Sequence, residues 1–165
     1  VTPLRSRERI VTGGRVGLRA LFTPGHEVDH VCYYLREDRV MFTGDTVLGA
    51  SSTSVGDLSA YVKSLELLTT FGHDTVCPAH GPVVPPPRGG GLVKWQLEHR
   101  LNREKQVMAA LGKGLSGVSD ITSDIYPSNL KKGLRPSAER NVSTHLKKLI
   151  DDGIVQEAAS AYSLK

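Results

Sequence analysis

Hydrophobic positions in the first half of the chain come in short alternating runs, whereas in the second half they return every three or four residues. Alternation puts side chains on the two faces of a strand, and a return near 3.6 residues puts them along one side of a helix. The first pattern predicts strands over residues 16–23, 31–35 and 39–43, the last two joined as a hairpin through Glu37 and Asp38. Leu58, Tyr61, Val62, Leu65 and Leu68 then fall at helical spacing behind Asp57, whose short carboxylate suits an N-cap. A helix is expected from there through Thr70, followed by a strand running to His80. Such a strand-helix-strand unit would form part of a layered αβ sandwich.

The helical pattern of the second half predicts helices over about residues 92–111, 118–126 and 137–151, the third carrying a buried stripe of Ala138, Val142, Leu146 and Leu149. Gly153 ends that helix, and residues 154–155 and 162–164 can pair as a hairpin. Three helices and a terminal hairpin suggest a winged-helix module. Between the halves, residues 83–91 hold three prolines and three glycines and read as a loop or linker. The expected organisation is therefore α+β, with one domain over residues 1–91 and a second over 92–165.

Charge supports that division. Residues 1–93 carry nine Lys and Arg against nine Asp and Glu, while 94–165 carry twelve against eight, so the net +4 lies in the tail. On the third helix Arg140, Lys147 and Lys148 are candidate substrate-binding residues that a winged helix would present to phosphates, although a solvated helix face accounts for the same residues. His99 and Arg100 read the same two ways, reaching over a site or lying on a solvated face. With 39% hydrophobic and 23% charged residues the balance is that of a globular domain, and no apolar run is long enough to span a membrane. Cys32 and Cys77 are too few for a disulfide framework and read as small buried residues, which favours an intracellular setting, cytoplasmic or mitochondrial matrix.

The candidate chemistry lies where apolar runs end. Leu21-Phe22-Thr23-Pro24-Gly25-His26, Val40-Met41-Phe42-Thr43-Gly44-Asp45 and Thr75-Val76-Cys77-Pro78-Ala79-His80 each close a strand-like segment on a potential metal ligand just after a Pro, Gly or Ala turn. Imidazole combined with carboxylate suits zinc first and manganese or iron next. A lone histidine after a strand more often completes a turn's hydrogen bonds, and His30 is read that way. Cys77 with His80 imitates a Cys-x-x-His zinc pair, but a structural zinc site needs a second pair, which the sequence does not offer.

Thr23-Pro24-Gly25-His26, Phe42-Thr43-Gly44-Asp45 and Pro78-Ala79-His80-Gly81-Pro82 resemble, in order and spacing, the third to fifth motifs of the metallo-β-lactamase superfamily. The tail, with His99-Arg100, Asn102-Arg103-Glu104, Asn141-Val142 and His145-Leu146-Lys147-Lys148-Leu149, is similar to the branch containing β-lactamase-like protein 2 and the fungal lactamase-like polyketide thioesterases. The resemblance implies an αβ/βα sandwich and two divalent ions, zinc foremost, with Asp45 bridging them, His26 serving one and His80 the other. A hydroxide between the ions would attack an acyl carbon or a phosphorus.

Two departures qualify it. Ala79 stands where the family has glycine, so its Cβ is expected to tilt the loop carrying His80. The family's His-x-His-x-Asp-His motif occurs nowhere in the 165 residues, so a C-terminal part of the enzyme is expected, with two ligands per ion and weak metal binding on its own. The resemblance implies an endoribonuclease acting on single-stranded RNA, or alternatively a thioesterase acting on an acyl carrier protein. The other class is a non-catalytic relic or interaction module.

Overall fold

The computed structural model describes residues 3–11, 13, 16–50, 52–128, 130–131, 133–158 and 161–165. Contacts divide the chain into two compact units, Val1–Glu98 and His99–Lys165. No helix among the described residues is long and apolar enough to cross a membrane.

In the first unit the strands β1 (Arg9–Val11), β2 (Gly17–Phe22), β3 (Val31–Leu35), β4 (Val40–Gly44) and β5 (Thr75–Pro78) form one sheet in sequence order. The first three pairings are antiparallel and β4–β5 is parallel, with α1 (Leu58–Thr69) as the crossover. The hairpin expected through Glu37 and Asp38 is present, its Arg39 N–H returning to the Arg36 carbonyl at 3.2 Å. Asp57 caps α1 as expected, Oδ1 accepting from the Ala60 N–H at 2.9 Å. Leu58, Tyr61, Val62, Leu65 and Leu68 are all buried, and share a core with Leu21, Cys32, Met41 and Val76 from the sheet. Burying each such side chain stabilises the fold by about 1.5–3 kcal/mol.

The run read as a loop over residues 83–91 is helical from Arg88 onward, because α2 spans Arg88–Gly112. Of its glycines, Gly89 answers to a neighbour and Gly91 does not. A Cβ on Gly89 would lie 2.3 Å from the Asp74 and Val84 carbonyl oxygens, whereas one on Gly91 meets nothing within 4 Å. Alanine at the two positions should therefore act in opposite directions. Gly91→Ala is expected to stabilise the chain by about 0.5–1 kcal/mol, as ordinary helix propensity dictates, and Gly89→Ala to destabilise it by about 1–3 kcal/mol through overpacking. Urea unfolding of the two variants checks this; the same sign for both would show that Gly89 is not held by that contact.

The second unit comprises the rest of α2, α3 (Val118–Ile125), α4 (Arg135–Asp151) and a hairpin of β6 (Val155–Ala158) and β7 (Ala161–Leu164). Ala138, Val142, Leu146 and Leu149 are buried, as their spacing requires, and the last three share a core with Val107, Ile121 and Val155. The Tyr162 N–H donates to the Ser116 carbonyl at 3.0 Å and ties the hairpin back to the helices. This is the helical arrangement with a terminal wing that the sequence suggested.

Arg100 does not lie on a solvated face. It is 3% exposed, and Nη1 donates to Asn141 Oδ1 at 3.0 Å. One turn along, Glu104 lies 3.0 Å from Lys148 Nζ and 3.9 Å from His145 Nδ1. His145 and then the Lys148 ammonium hold the Glu104 carboxyl below its usual range, while burial lowers the pKa of His145 and so favours its neutral form. Arg100, Glu104, Asn141, His145 and Lys148, five of the tail residues that carried the sequence resemblance, thus form one polar layer between α2 and α4.

Candidate metal centre

Each candidate ligand is delivered by backbone geometry that its preceding residues make possible. After β2, Gly25 turns with φ +134° and its carbonyl accepts from the Gly56 and Asp57 N–H groups at 2.8 and 3.0 Å. The start of α1 packs directly on this turn, since a Cβ at Gly25 would lie 2.4 Å from Tyr61 Cα. Ser64 Oγ donates to the Pro24 carbonyl at 2.7 Å, and the buried Tyr61 hydroxyl donates to the Thr46 carbonyl at 2.5 Å. Helix α1 therefore fixes the loops that carry both His26 and Asp45.

Asp45 and His80 follow the two parallel strands. Gly44 pairs with Pro78, and the Ala79 N–H donates to the Gly44 carbonyl at 2.9 Å. Ala79 keeps this register and leaves its side chain exposed. Parallel strands end side by side, which is why residues 35 positions apart can share a site.

The three candidate ligands converge. His26 Nε2 lies 3.8 Å from Asp45 Oδ2, and His80 Nε2 lies 3.5 Å from Asp45 Oδ1. Each imidazole thus faces its own carboxylate oxygen. Two ligand atoms about 2.0–2.2 Å from one tetrahedral ion lie roughly 3.3–3.6 Å apart, so the spacing is close to that of a shared cation. Among the described residues no group of three or more His, Cys, Asp or Glu side chains is placed closely enough to hold a metal ion as it stands. The trio is an open set.

Its donors nevertheless fit a cation. Asp45 Oδ1 is buried yet has no hydrogen-bond partner, an arrangement costly for a carboxylate unless a cation satisfies it. The His26 Nδ1–H donates to the Ser54 carbonyl at 2.8 Å. That bond fixes the tautomer and leaves the Nε2 lone pair towards Asp45, as an imidazole ligand requires. Beside His26 a cleft of about 380 Å³ runs between residues 24–28 and 56–60, with Val28 90% exposed at its rim.

His30, read from the sequence as packing or hydrogen bonding, does the latter, and its partner is the site itself. Nε2 accepts from the Asp45 N–H at 3.1 Å, so the proton sits on Nδ1, within 3.0 Å of Thr23 Oγ1 and 3.1 Å of Thr46 Oγ1. Burial and then neighbouring His26 hold its pKa below the ordinary value. Cys32 is fully buried, burial pushing its thiol up to about 11, and Cys77 is partly buried with its pKa also raised by burial. Neither thiol is activated.

The candidate phosphate contacts of the other unit are unequal. Arg140 and Lys147 are exposed. Lys148 is not, because its ammonium is held by Glu104 and, at 2.6 Å, by Asp152.

Comparison with known proteins places this geometry. Residues 2–80 match the metallo-β-lactamase superfamily, and residues 118–163 the β-lactamase-associated winged helix domain. A β-lactamase-like protein 2 homolog from Caenorhabditis elegans is 34% identical over 140 residues, 84% of this chain and 46% of the relative. An atrochrysone carboxyl ACP thioesterase from Aspergillus novofumigatus is 32% identical over 171 residues, 93% of this chain and 52% of the relative. Among solved structures, a metallo-β-lactamase family protein from Thermus thermophilus superposes with a TM-score of 0.75 at 25% identity, covering 99% of this chain and 54% of that one. The chain spans about half the length of the curated relatives it matches. The chain thus carries a metallo-β-lactamase superfamily domain over residues 2–80 and a β-lactamase-associated winged helix domain over residues 118–163.

Proposed function

We propose that this chain supplies three ligands, His26, Asp45 and His80, to the metal centre of a hydrolase acting on single-stranded RNA. The observation that carries the reading is Asp45 Oδ1, buried without a hydrogen-bond partner and facing His80 at 3.5 Å while Oδ2 faces His26 at 3.8 Å. A bound divalent cation, zinc foremost, supplies Lewis acidity and hydroxide at neutral pH. The chain's own contribution is positional. Ser54 orients His26, the β4–β5 register sets Asp45 against His80, and the cleft beside His26 leaves room for a substrate. Arg140 and Lys147, exposed on α4, are the residues proposed to meet phosphates; the ion pairs of Lys148 leave it a weaker candidate. An intracellular setting, cytoplasmic or mitochondrial matrix, goes with that substrate.

A second reading, hydrolysis of a thioester on an acyl carrier protein, is favoured by the names of the fungal relatives. The test is a polypeptide that joins this chain to a His-x-His-x-Asp-His segment. Cleavage of single-stranded RNA that chelation stops and zinc restores is the expected result. Acyl-carrier-protein thioester hydrolysis without RNA cleavage assigns the second reading. No chelator-sensitive turnover of either substrate means that the hydrolase reading is wrong. With two ligands per ion, the 165-residue chain alone is expected to show little activity.

A further inference from the structure

We infer that His30 is a positioning residue of the metal centre, holding the backbone of Asp45 so that its carboxylate falls between His26 and His80. The inference rests on the metal-site reading of the trio and adds a residue that is itself no ligand.

Three observations converge on it. The Asp45 N–H donates to His30 Nε2 at 3.1 Å, a bond that pins the residue bearing the central carboxylate. Gly44, with φ +52°, lets the turn lie on the edge of the imidazole, since a Cβ there would come within 2.6 Å of Nε2. The ring is fixed in turn from behind. Nδ1–H has Thr23 Oγ1 and Thr46 Oγ1 as acceptors, Thr23 donates to Cys32 Sγ at 3.2 Å, and the Cys32 thiol donates to the Thr43 carbonyl at 3.4 Å. This chain of donors and acceptors starts at the Asp45 amide and returns to the strand just before it. His30 therefore links the end of β2, the start of β3 and the end of β4, and its Nε2 is the atom that acts on Asp45. Second contacts of this kind typically alter metal affinity 10–100-fold.

Zinc titration of the full 165-residue chain, with a chelating dye as competitor, tests the inference beside a measurement that needs no metal. In the native chain, nitrogen NMR should show a scalar coupling across the Asp45 N–H to His30 Nε2 hydrogen bond. H30L should bind zinc about 10–100-fold more weakly while the amide spectrum of α1 stays native. H30Q, whose side-chain oxygen can accept from the Asp45 N–H, should keep the affinity within about threefold. Affinity in H30L within twofold of native, or no coupling in the native chain, overturns the inference. Should H30L fail to fold, the coupling and H30Q decide; both must be present and native-like to support it, and either one missing overturns it. D45N separates the two claims. Zinc bound by D45N as tightly as by the native chain removes the metal-site reading and this role with it, whereas zinc lost in D45N but kept in H30L removes only the role of His30.

Discussion

Asp45→Ala should reduce turnover at least about 1,000-fold in a polypeptide that joins this chain to a His-x-His-x-Asp-His segment, equivalent to roughly 4 kcal/mol of lost transition-state stabilisation. The size follows from position. Asp45 alone faces both imidazoles, one oxygen to each, so its removal takes a ligand from each half of the proposed centre at once. Stability should move the other way or not at all, because a carboxylate oxygen without a hydrogen-bond partner is removed from a buried place. Steady-state rates together with a melting curve separate the two effects. A variant that keeps a tenth or more of the native rate would mean that the site's chemistry does not run through this residue.

Gly25→Ala should be among the most destabilising single substitutions in the first unit, by about 3–5 kcal/mol, because positive-φ strain adds to a clash with backbone. A new Cβ would lie 2.4–2.5 Å from the Cα, Cβ and N of Tyr61, and none of these can rotate away. Relief requires α1 to move off the sheet, which also breaks the bonds from Gly56 and Asp57 to the Gly25 carbonyl. Urea denaturation should show the loss; a change under about 1 kcal/mol would mean that α1 does not pack on this turn as described. The glycine of this motif is thus a place where a helix touches a loop, one residue before a proposed ligand.

Helix α1 was legible in the sequence because local and global signals agree. Asp57 caps it, and its apolar stripe is the face that packs. Strand β1 was not, since three residues with Arg9 and Val11 exposed carry too little pattern to stand out. The glycines after Arg88 signal a break by composition, yet Gly89 is required by the carbonyls of Asp74 and Val84, which only the folded chain brings near. Arg100 and Lys148 misled for the same reason: on a helical wheel they are charges on a polar face, and only α2 packed against α4 supplies Asn141 and Glu104. That His26, Asp45 and His80 converge was readable because each follows the same strand-then-turn grammar. That His30 would bond was readable too, but not that its partner is the backbone of Asp45.

The position of β5 at the edge of the sheet gives the three proposed ligands unequal anchorage. His26 and Asp45 follow β2 and β4, each flanked by strands on both sides, while β5 has β4 on one side and, among the described residues, only the Val76–Val84 bridge on the other. Edge segments open by local fluctuation at lower free energy than interior ones, without global unfolding. Peeling of β5 would carry His80 away while His26 and Asp45 stay in place. A cation shared by Asp45 and His80 would then exchange by losing His80 first, at a rate set by fraying of one strand rather than by the stability of the whole unit.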